Sequence, residues 1–173
     1  MPRWTLYSQI MSPEATSCVD MINGLLGVYY TALAQHQTHV ALLDSWGLSG
    51  LARSMEARIA DEPVTIAELM QRLLDLGGTP TFTLGTPNIG ASVAEVLDKD
   101  LEIQRLAPAG LNAAAEAASA DHDATTRVML EGILADEEKH LAWLEGERAL
   151  LDRLGEALYF ANRMGAPATP PST

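Results

Sequence analysis

The chain has 173 residues, is 47% hydrophobic but only 5% aromatic, and carries a formal net charge of −12. That length suits one domain; the aliphatic composition favours a helical bundle over a β-sandwich; and the charge argues against nucleic acid as a partner, which calls for a basic face. The lone cysteine, Cys18, cannot make an internal disulfide. No apolar run reaches the length of a membrane span, so the expectation is a cytoplasmic protein with no membrane partner.

Residues 1–11 lack periodicity and read as an N-terminal extension. Ser12-Pro13-Glu14 has the form of a helix start, with a capping serine, a proline at the first helical position and an acid in the first turn. It predicts a helix to about residue 43, with Val19, Ile22, Leu25, Leu26, Tyr29, Leu33 and Val40 on one stripe. A turn at Trp46–Gly50 leads into a second helix from about Leu51. Pro63 interrupts it, because proline has no N–H for the carbonyl four residues back and its ring clashes there, at about 3 kcal/mol in a helix interior. Thr65-Ile66-Ala67-Glu68 has the pattern of a capping box, so two segments, about 51–60 and 66–76, are expected to meet at a kink or a break.

Residues 79–91 read as a crossover connection. A second capping-box pattern, Ser92-Val93-Ala94-Glu95, opens a third helix to about Ala120, with Pro108 acting on the carbonyl of Gln104. Asp121-His122-Asp123 precedes a fourth helix over about 124–153. Gly155 separates a short fifth helix that ends at Gly165, and residues 166–173 read as a disordered tail. Four long amphipathic helices with one long connection make an all-α four-helix bundle over residues 12–165.

The most informative stretch is Glu137-Glu138-Lys139-His140. Glu137 and His140 fall one turn apart on one helix face, a pairing that iron-carboxylate bundles use as half of a metal site. The best candidate for the other half reads Glu62-Pro63-Val64-Thr65, where threonine stands in place of histidine. Other features recur at fixed places: Ile22-Asn23, Leu25-Leu26-Gly27, Gln35, His39 and Trp46-Gly47-Leu48 on the first helix, Asn88-Ile89-Gly90 in the connection, and Trp143-Leu144-Glu145 on the fourth helix. With these residues the chain resembles bacterioferritin, a ferritin-like family, from about Met21 to Met164.

The resemblance implies a hollow shell of two dozen subunits that stores iron, oxidises it at a di-iron site in each bundle, and binds haem between paired subunits. The family's bridging glutamates match Glu62 and Glu137, and its fourth-helix histidine matches His140. The remaining ligand positions hold Tyr29, Thr65 and Gln104, and the haem-ligating methionine is replaced by Pro63. The ligand set expected here is therefore Glu62, Glu137 and His140, with Gln104, Tyr29 and His36 as weaker candidates, and it holds one iron per subunit at most. Haem is not expected.

Each feature also has a plainer reading. Asp61 and Glu62 suit a helix N-terminus for dipole reasons. Tyr29 and Tyr30 suit core packing, Met55, Met70 and Met129 suit bundle filling, and His39 suits a structural or solvated position. His36 falls where the family has a tyrosine beside the metals. Pro63 could turn the Glu62 carboxylate away from the bundle axis. The reading adopted is an iron-storage shell subunit with reduced or lost ferroxidase activity, either homo-oligomeric or co-assembled with a second, active ferritin subunit. The alternatives are a single-metal enzyme acting on a small substrate and a metal-free structural or ligand-binding subunit.

Overall fold

The computed structural model describes residues 17–165, which form helices α1 (Cys18–Ser45), α2 (Ser49–Arg58), α3 (Glu62–Asp75), α4 (Val93–Gln104), α5 (Leu106–Ala120) and α6 (Ala124–Arg163). Helix α1 packs on α2, α3, α4 and α5, while α6 packs on α2, α4 and α5. Thus α2 with α3 fills one position of a four-helix bundle, and α4 with α5 fills another. No described helix is long and apolar enough to cross a membrane.

The start expected at Ser12 lies outside the described residues, as do the 1–11 extension and the 166–173 tail. Ser17 sits in extended backbone instead and caps α1 through a capping box with Asp20. The second bundle position is broken rather than kinked. Helix α2 ends at Arg58 and α3 opens at Glu62, with Pro63 in its first turn, where no helical N–H is required. The Thr65–Glu68 pattern is therefore no helix start; it lies within α3. The third helix is also two segments, divided at Arg105. Pro108 falls near the start of α5 and so spares the ladder of α4.

The caps read at Ser92 and in the 121–123 run are in place. Ser92 Oγ accepts from the N–H of Glu95, and Asp123 Oδ1 accepts from that of Thr126. Gly155, at φ 70° and ψ 162°, separates residues 156–163 from the body of α6, an angle that costs glycine nothing. The short helical end beyond it docks through Glu147. Tyr159 Oη donates to Glu147 Oε2 at 2.7 Å, and the Arg163 guanidinium donates to both carboxylate oxygens at 2.9 and 2.8 Å.

The crossover lies along one row of α1. Asn23, Gly27, Thr31, Gln35 and His39 stand at successive i, i+4 positions. Asn23 Oδ1 accepts from the N–H of Thr81, Thr31 Oγ1 from Gly85, Gln35 Oε1 from Asn88 and His39 Nε2 from Gly90. Gly27 completes the row by absence: a Cβ there would stand 2.5 Å from the Thr83 carbonyl oxygen.

The apolar interior is two clusters rather than one. The first gathers Ile22, Leu25, Leu26, Leu69, Leu111 and Leu130, and the second Leu43, Leu51, Met55, Leu97, Leu144 and Leu151. In the sequence of each long helix, buried polar residues fall between the two sets: His36 on α1, Glu62 ahead of α3's apolar run, Gln104 at the end of α4, and His140 on α6. Both helix breaks, at 59–61 and at 105, fall beside this polar layer.

Candidate metal centre

Glu62 is 6% exposed and points inward, so Pro63 does not turn it from the bundle axis. Its Oε1 lies 2.6 Å from Nδ1 of His36 on α1. Glu137 is held on both oxygens: Tyr29 Oη donates to Oε1 at 2.6 Å, and the Gln104 amide makes a very short contact with Oε2. The His140 ring stands 5.5 Å from that of His36 and 6.2 Å from that of Trp143, centroid to centroid. Glu62, Thr65, Glu137 and His140 all line one cleft of about 470 Å³ between α3 and α6.

Burial shapes the charges. It pushes His140 down to about 4, helped by the neighbouring His36, so this imidazole is neutral with a lone pair to offer. Burial also lowers His36, but the Glu62 hydrogen bond and the charges of Asp100, Glu62 and Glu137 outweigh it and lift His36 above the ordinary histidine value. Burial raises Glu137, with the Tyr29 and Gln104 hydrogen bonds opposing it. Tyr29 is raised by burial and by the Glu137 charge, so its phenol keeps its proton and acts as donor.

The expected residues therefore meet in one layer, but in pairs. His36 is joined to Glu62, while Tyr29 and Gln104 are joined to Glu137. Among the described residues no three His, Cys, Asp or Glu side chains already stand around a point as a metal cage. The donors do not fit a di-iron centre. Both Glu137 oxygens are taken, the Gln104 amide is neutral, and the Thr65 hydroxyl is a poor ligand.

The ferritin-like domain family matches residues 19–154. The chain is 36% identical over 155 residues to bacterioferritin BfrA of Mycobacterium tuberculosis, covering 86% of this chain and 94% of that relative. It is 34% identical over 155 residues to the bacterioferritin of Streptomyces coelicolor, covering 89% and 93%. The solved structure of M. tuberculosis bacterioferritin BfrA superposes with a TM-score of 0.82 at 33% identity, over 88% of this chain and 96% of that one. The chain belongs to the bacterioferritin family.

The caps at Ser92 and Asp123 and the short helical end beyond Gly155 have the places expected from the sequence. One residue of the layer escaped the sequence reading. Asp100 is 0% exposed, and its Oδ1 accepts from His39 Nδ1 at 2.7 Å and from Gln35 Nε2 at 2.9 Å. Because His39 Nε2 accepts from Gly90, the ring's proton sits on Nδ1 and His39 is a donor to Asp100. His39 is thus structural and fully buried rather than solvated. A signal was present: Val93, Val96, Leu97, Asp100, Leu101 and Gln104 form the buried stripe of α4, which places a carboxylate among apolar residues. Tyr29 and Met55 are core, and Tyr30 stacks on Phe82 at 5.1 Å.

Proposed function

We propose that this chain is an iron-storage shell subunit of the bacterioferritin type whose own ferroxidase chemistry is reduced or lost, assembled with copies of itself or with a second, complete ferritin subunit. One observation carries the reading. The two glutamates that would bridge a metal pair are engaged by protein donors, Glu62 by His36 and Glu137 by Tyr29 and Gln104. Every donor that binds a carboxylate oxygen in place of a metal lowers the gain from metal entry. With Thr65 and Gln104 at ligand positions, one metal per subunit is the most the layer holds, and two irons do not share the electrons that dioxygen takes up.

The bundle, the crossover and the Glu147-anchored helical end supply what a shell subunit needs, and relatives called bacterioferritin cover nearly the whole chain. A cytoplasmic location goes with this reading. Haem is not expected, because Pro63 offers no lone pair where the family has its methionine, and it stands exposed in the first turn of α3.

The test is ferrous iron added in air to the purified assembly, followed by ultraviolet absorbance, with assembly mass from light scattering. A shell of about two dozen subunits with iron oxidation near the uncatalysed rate is expected, and oxidation that accelerates when a complete bacterioferritin subunit is co-expressed. A rapid phase consuming two irons per subunit would overturn the reading.

A further inference from the structure

Helix α6 packs on α2, α4 and α5, and between α6 and α3 lies the cleft of about 470 Å³. Sites for small organic molecules usually measure roughly 300–1,000 Å³. On α6 the lining residues Met129, Gly132, Ile133, Asp136 and His140 recur at helical spacing and share one face. Ile133 and His140 are each 7% exposed and lie deep, whereas Asp136, like Asp61 and Glu68 of the facing wall, is exposed at the rim.

The deep end has polar groups to spare. His140 makes no hydrogen bond among the described residues. Three buried polar atoms also lack a partner, Nε2 of His36, Oδ2 of Asp100 and Oε2 of Glu62, and of these only the last belongs to a residue that lines the cleft. An unpaired buried group costs about 1–3 kcal/mol. The wall has room to spare as well. Gly132 stands inside α6, where glycine costs about 1 kcal/mol relative to alanine, and a Cβ added to it would meet nothing within 4 Å.

Charge selects the ligand. Asp61, Glu62, Glu68, Asp136 and Glu137 line the cleft against one guanidinium, that of Arg58, which lies over the Trp143 ring at 5.9 Å. Lys139 pairs with Asp136, whereas Asp61 and Glu68 have no ion pair among the described residues. An anion is repelled by this surround, and a bare metal ion finds no three converging ligands. A primary ammonium group carries three N–H donors and takes its acceptors from separate side chains. We propose that the cleft binds an aliphatic primary amine in its ammonium form. The head donates to the His140 lone pair and the Thr65 hydroxyl, with the Glu62 charge behind them, and the chain lies along Met129, Ile133 and Val128.

The inference rests on the reading that the di-iron centre is closed, because a complete centre would take the lone pair of His140. The chelator-treated assembly is titrated calorimetrically with n-hexylamine, and with hexan-1-ol and hexanoate as chain-matched controls. One amine per subunit is expected, bound about tenfold or more tightly than either control. An amine that binds no better than the alcohol overturns the site. Gly132→Leu fills the cleft and is expected to weaken hexylamine by about tenfold or more. Gly146→Leu, on the same helix but outside the cleft, also meets nothing within 4 Å at its Cβ and is expected to bind within about twofold of wild type. Equal binding by wild type and both variants means that the amine is held on acidic surface only, and overturns the proposal. Should Gly132→Leu fail to assemble, His140→Phe, which keeps a ring and removes the acceptor, decides in its place: binding weakened by about tenfold supports the site, and unchanged binding overturns it. A flat hexylamine titration sinks the amine site and leaves the storage reading intact, whereas rapid oxidation of two irons per subunit sinks that reading itself.

Discussion

Tyr29→Phe tests the bond on which the closed centre depends. The Tyr29 side chain is 3% exposed, and its hydroxyl donates to Glu137 Oε1 at 2.6 Å. Phenylalanine preserves the ring and its packing and removes only that donor. A hydrogen bond to a charged acceptor contributes about 1.5–3 kcal/mol, so a loss of about 2 kcal/mol is expected. In a domain of this size that lowers the thermal midpoint by about 4–8 °C. Glu137→Gln removes the charge while its amide still meets Tyr29 and Gln104, and the double variant closes a mutant cycle with an expected coupling of about 1–2 kcal/mol. The assay is thermal unfolding of metal-free protein by circular dichroism, at one concentration for all four proteins because assembly shifts the midpoint. A coupling below about 0.5 kcal/mol would refute the reasoning, since Glu137 would then be at liberty to serve a metal.

Glu147→Ala strands the buried Tyr159 hydroxyl and the Arg163 guanidinium; a loss of about 3 kcal/mol is expected, together with protease cleavage near Gly155 and weakened assembly on a sizing column. Gly27→Ala and Gly132→Ala are expected to move stability in opposite directions in urea titrations. Both gain helix propensity of about 1 kcal/mol, but the first drives a Cβ against the Thr83 carbonyl and loses about 1–3 kcal/mol net, whereas the second meets nothing within 4 Å. Asp123 is held down to about 2 by its hydrogen bonds to Thr126, with Arg72 adding to them. Its folded-state value lies below the unfolded one, so its contribution is present above about pH 4 and disappears as pH falls toward 2. The difference in thermal midpoint between wild type and Asp123→Asn, worth about 1 kcal/mol at neutral pH, should shrink over that window.

Much of this protein is legible in its residues because the signals are local. Ser92 and Asp123 mark helix starts through side chains that reach only three residues, and Gly155 marks an interruption through its own backbone freedom. That Tyr29, Thr65 and Gln104 stand at ligand positions of the family is likewise what the resemblance implies, residue by residue. Local patterns also mislead. Thr65–Glu68 has the letters of a cap, but Pro63 fits a first helical turn and lets the helix begin at Glu62.

What those replacements do could not be read in this way, because it depends on pairs far apart along the chain. Tyr29 meets Glu137 across 108 residues, His36 meets Glu62 across 26 and His39 meets Asp100 across 61. Periodicity states that a face is buried; only the packed bundle brings a particular donor to a particular carboxylate. Asp100 shows the division most clearly. Its place on the α4 stripe is written in the sequence, but its two donors and its orphaned oxygen exist only once α1, α4 and the crossover close around it.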